Sequence, residues 1–67
     1  MEKLTFNTIA ETTDIIYDGE SIGYIQEYLK ETVFLELHYN GKSHKGVIAN
    51  QSTAITNVEN YITACNK

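Results

Sequence analysis

Asp18-Gly19 and Asn40-Gly41, each set between runs of alternating apolar residues, constrain this chain more than any other feature. A two-residue type I′ turn needs positive φ at both central positions, and Asp-Gly and Asn-Gly adopt it at little cost. Each dipeptide therefore fixes the register of a hairpin. Around the first, Tyr17 is expected opposite Glu20, Ile15 opposite Ile22, and Thr13 opposite Tyr24. Around the second, Tyr39 is expected opposite Lys42, Leu37 opposite His44, Leu35 opposite Gly46, and Val33 opposite Ile48. Leu29-Lys30-Glu31-Thr32 joins the two hairpins. A loop of two or four residues there sets Tyr28 opposite Val33, Tyr24 opposite Leu37 and Ile22 opposite Tyr39.

Side chains alternate across a sheet, so the three pairings can be checked for parity. They agree. Ile15, Ile22, Tyr24, Tyr28, Val33, Leu35, Leu37, Tyr39 and Ile48 fall on one face, and a one-residue slip would scatter them. After residue 50 the period changes. Ala54, Ile55, Val58, Tyr61, Ile62 and Cys65 recur at helical steps opposite a polar side, with Asn50 or Ser52 available to cap the start. The expected fold is α+β: an antiparallel β-meander of three to four strands with one C-terminal helix packed on one face. The order is β-β-β-β-α, and residues 1–67 form a single domain. Leu4, Phe6 and Ile9 are read as an extension of the first strand, with a separate short piece as the alternative.

The face without the helix is expected to carry Ile16, Ile25, Leu29, Phe34 and Val47. Phe34 would lie beside Val47 and Glu27, and Glu36 between Ile25 and Lys45. A solvated antiparallel face is normally polar, so this apolar minority reads as a contact surface anchored on Ile16, Ile25, Phe34 and Val47. A chain of 67 residues buries only about 60% of its unfolded surface. It gains most from a second chain, which makes a homodimer one expectation.

Little in the sequence suggests chemistry. The single cysteine, Cys65, rules out an internal disulfide and lies on the apolar stripe of the helix. His38 and His44 fall on opposite faces of their hairpin and cannot converge on a metal. Lys42 and Lys45 make a small basic tip, but Lys45 has Glu36 as a cross-strand partner. Two lysines also fall short of the roughly six to ten phosphate contacts that sustain nucleic-acid affinity at cellular salt. The carboxylates form no acid/base pair, so no catalytic, metal or cofactor site is expected, and the chain reads as a non-enzyme.

The net charge of −4 and pI near 4.9 disfavour a phosphate backbone and favour basic protein surfaces. Neither a signal peptide nor a membrane span is visible, so a reducing cytoplasm is the expected setting, away from membranes. The expected function is a small non-catalytic protein-binding module. Its character is that of phage or mobile-element inhibitors that block a host nucleic-acid-handling protein. Glu11, Asp14, Asp18, Glu20 and Glu27 would then stand where phosphates lie. The alternative is a single-stranded nucleic-acid binder. Lys45-Gly46-Val47-Ile48-Ala49-Asn50, leading into the helix, is similar to the strand-to-helix joint of the transcriptional-coactivator single-strand-binding fold. The ββββα order also resembles that fold and the Whirly fold. The resemblance implies an aromatic-lined, basic sheet, to which Phe34, Lys42 and Lys45 would contribute, in a dimer.

Overall fold

A computed structural model describes residues 3–29 and 32–66, with Leu29 described by its backbone alone. The described chain forms β1 (Leu4–Ile9), β2 (Thr12–Tyr17), β3 (Glu20–Leu29), β4 (Thr32–Tyr39), β5 (Lys42–Ile48) and α1 (Gln51–Cys65). The strands make one antiparallel sheet in the order β1-β2-β3-β4-β5. The α+β meander with a C-terminal helix stands, but with five strands rather than three to four. The expected connection through Lys30 and Glu31 lies outside the described residues.

The extra strand corrects the reading of residues 4 to 12. They do not extend β2 but fold back on it, with Ile9 opposite Thr12 and Leu4 opposite Tyr17. The turn at Ala10-Glu11 contains neither Gly nor Asn, which is why its sequence gives no signal. Ala10 stands at φ 56°, in the left-handed region where a Cβ costs about 1 kcal/mol. Burial of Leu4 and a 2.9 Å bond between the Thr8 and Thr13 hydroxyls offset that cost. Backbone bonds hold both ends of the hairpin. Asp18 N–H donates to the Lys3 carbonyl at 2.9 Å, and Glu27 N–H donates to the Glu11 carbonyl at 2.8 Å.

The two glycine turns form as expected, with Asp18, Gly19, Asn40 and Gly41 at φ 54°, 81°, 55° and 75°. The β4–β5 pairing follows the expected register from Tyr39–Lys42 to Val33–Ile48. β3 does not. Tyr17 faces Glu20 and Ile16 faces Ser21, but Ile15 then faces Gly23, which leaves Ile22 as the extra residue of a bulge. A second irregularity lies between Glu27, opposite Val33, and Leu29, opposite Thr32. Between them the sidedness of β3 is inverted. Ile25, expected on the bare face, turns into the core at 1% exposure. Tyr24, expected inside, turns outward opposite Glu36, and Tyr28 is 71% exposed.

The cause is the spacing of Ile22 and Ile25. Three residues apart, they cannot share a face in a regular strand. The bulge lets both be buried, and each isoleucine so placed contributes roughly 1.5–3 kcal/mol. The regular register would instead bury the hydroxyls of Tyr24 and Tyr28, which need partners away from water. Gly23 makes the bulge possible. A Cβ there would sit inside the Glu36 carbonyl oxygen and 2.9 Å from the Leu37 Cα.

The helix starts at Asn50, whose Oδ1 accepts the Thr53 N–H at 2.8 Å. Ala54, Val58 and Ile62 are fully buried against Ile15, Ile25, Val33, Leu35 and Leu37, and the helix lies mainly over β4. Amide side chains pin it at both ends. Gln51 Nε2 donates to Thr13 Oγ1 at 3.2 Å. Asn66 Nδ2 donates to the Tyr17 hydroxyl at 3.1 Å, and its Oδ1 accepts from the Tyr39 hydroxyl at 3.0 Å. Those two rings meet edge to face, with centroids 5.4 Å apart. Burial, then the neighbouring Tyr17, pushes the Tyr39 phenol above its usual range.

Gly23→Ala should therefore cost about 1–3 kcal/mol through overpacking against the β4 backbone. Gly46→Ala, where a Cβ meets nothing within 4 Å, should stay within about 0.5 kcal/mol of wild type. Urea denaturation of both variants checks the contrast.

Candidate functional site

Strand pairing arranges the face opposite the helix in rows. One runs Asn7, Asp14, Tyr24, Glu36, Lys45, and the next runs Ile9, Thr12, Gln26, Phe34, Val47. The Tyr24 and Phe34 rings lean together, with centroids 6.3 Å apart and planes at 42°. With Gln26, Tyr28, Thr32 and Val47 they line an open depression of about 630 Å³. The Thr12 hydroxyl donates to Gln26 Oε1 at 2.6 Å, which fixes the amide at its edge. Val47 is 71% exposed and Ile9 68%, so both edge strands offer apolar side chains to solvent.

Beside the rings lies a polar cluster. Glu36 Oε2 is 2.8 Å from His38 Nε2, and His38 Nδ1 is 2.9 Å from the Ser43 hydroxyl. Lys45 Nζ lies 3.9 Å from Glu36 Oε1, so the expected cross-strand pair is present. The His38 hydrogen bond holds the Glu36 carboxyl below its usual 4.5; partial desolvation opposes this and Lys45 assists it. His44 is on the other face, its ring 5.7 Å from that of Tyr61. The histidines are thus separated by the sheet, and no group of three or more metal-ligating side chains is present among the described residues.

Of the four expected anchors, Phe34 and Val47 meet across β4 and β5. Ile16 is on the same face, half-buried opposite Thr5 and Ser21, one row beyond Asp14. Ile25 is not on this face at all. Phe34 is flanked by Gln26 rather than Glu27, and Glu36 by Tyr24 rather than Ile25. The five acidic residues do not gather into one patch. Glu11 and Glu27 mark one end of β2, Asp18 and Glu20 mark the other, and Asp14 sits on the face between them. Tyr24, Gln26 and Tyr28 were missed by the even register of β3. The signal that could have found them is Gly23 standing between isoleucines three apart.

Among the described residues no helix is long and apolar enough to cross a membrane. Comparison with protein-family models, curated proteins and solved structures finds no match for this chain.

A carboxyl held below its usual range stabilises the fold above that range, and the contribution is lost as pH falls through the folded-state value. Glu36→Gln should therefore flatten the part of the acid-stability curve below pH 4.5 while leaving the neutral and alkaline parts parallel to wild type. Thermal melts across pH check this.

Proposed function

We propose that this chain is a non-catalytic protein-binding module whose contact surface is the bare outer face of the sheet. One observation carries the reading. Tyr24, Tyr28, Phe34 and Val47 line an open depression on the side away from the helix, while the core is filled without their help. Exposed aromatic rings ringed by polar side chains are the usual energetic centre of a protein interface. The titratable cluster on the face, Glu36 with His38 and Lys45, is satisfied by its own members and serves complementarity rather than turnover.

The partner class follows from charge. Glu11 with Glu27 and Asp18 with Glu20 place carboxylates at both ends of the sheet, beside this face, which suits a partner with basic margins. A host nucleic-acid-handling protein, blocked by a phage or mobile-element inhibitor, has such margins. A second reading, single-strand binding, draws on the three rings of an open sheet, which could stack bases. Asp14 and Glu36 outnumber Lys45 in their row, so phosphates would be repelled where the bases need to lie.

Phe34→Glu tests the proposal. The variant should keep the wild-type circular dichroism and melt yet lose, by at least tenfold in affinity, self-association or the binding of a partner identified by co-purification from the source cell. A short oligothymidylate should not bind at physiological salt. Tight oligonucleotide binding that weakens steeply with added salt would replace this reading with the second one.

A further inference from the structure

The geometry points to a second copy of this chain as the occupant of the outer face, packed sheet to sheet about a two-fold axis that runs along the strands between β3 and β4. This rests on the reading of that face as a protein contact surface and names what covers it.

An isologous interface requires that whatever residue i touches, its own copy be touched in return. The row Asp14, Tyr24, Glu36, Lys45 meets that condition. It places one residue on each of β2, β3, β4 and β5. With strands about 4.8 Å apart, Asp14 and Lys45 lie about 7 Å to either side of the β3–β4 midline. Rotation about that midline sets Lys45 of one copy over Asp14 of the other, and the reverse, forming two opposite-charge pairs. Tyr24 then faces Glu36, and in the adjacent row Phe34 faces Gln26 while Val47 faces Thr12. An axis over β3 instead would stack Asp14 on Glu36, carboxylate against carboxylate. The charges on the face therefore select one of the two arrangements.

The electrostatics and the area both permit it. The row carries two carboxylates and one ammonium, so most of the chain's −4 lies outside this contact. The four strands that overlap about this axis, β2 to β5, cover on the order of 500 Å² in plan, and two such faces reach the roughly 1,000 Å² at which biological interfaces begin. The carboxylates at the sheet ends remain free at the margins of the dimer, available to a basic partner.

The test is charge exchange followed by sedimentation. Wild type should be a dimer whose dissociation constant rises about tenfold or more in Asp14→Lys, where both cross pairs become lysine–lysine, and likewise in Lys45→Asp. Mixing the two variants in equal amounts should restore the dimer as a heterodimer, and the doubly exchanged chain should restore it as a homodimer. Melts of each variant separate interface loss from unfolding, and the mixing result holds even if one variant is less stable. A wild-type monomer at millimolar concentration overturns the inference. So does a dimer indifferent to these exchanges, or one that mixing fails to rescue. None of these outcomes touches the broader reading, which fails separately if Phe34→Glu changes neither self-association nor the binding of a heterologous partner.

Discussion

Gly23 lies against the backbone of Glu36 and Leu37 so closely that no side chain fits between the two strands. That approach allows β3 to carry one residue more than β2 opposes at this point. Everything else about the two faces follows from it. With the bulge, Ile22 and Ile25 both reach the core, and the helix finds a continuous apolar floor under Ala54, Val58 and Ile62. The same inversion sends Tyr24 outward to meet Phe34. One backbone contact thus completes the interior and furnishes the exterior.

The outer face combines two kinds of side chain that seldom share a solvated sheet. Its rings and Val47 are open to water, whereas Glu36, His38 and Lys45 are tied to one another on the same face. Desolvating an ion that already has its hydrogen bonds costs less than stripping a bare one, because part of its solvation is supplied by protein. A surface built this way can be covered without orphaning that cluster, provided the partner brings a cation to Asp14. That property, rather than apolar area alone, distinguishes it from incidental exposure.

How much was legible depended on the strand. The β4–β5 hairpin could be read to the residue because Asn40-Gly41 admits one turn geometry, and so the placement of Phe34 beside Val47 could be read with it. The helix announced itself through its change of period, and Asn50 through its capping chemistry. Unbroken alternation from the Asp18-Gly19 turn misplaces β3, because a bulge leaves no mark in a two-residue period. Ile25, Tyr24 and Tyr28 all change face together for that reason. Asn66, which joins the helix end to Tyr17 and Tyr39, carries no pattern of its own. Its role depends on three segments distant in sequence.

Ala10 holds a left-handed backbone while carrying a Cβ, next to a strand, β1, whose only buried side chain is Leu4. That strand therefore forms with less surplus free energy than the strands that follow it, and it is the natural place for partial opening without global unfolding. Amide protons of β1 should trade with solvent well before those of β3 and β4. Each such excursion leaves the flank of β2 momentarily without its neighbour, and a foreign strand of matching length would find an empty berth there.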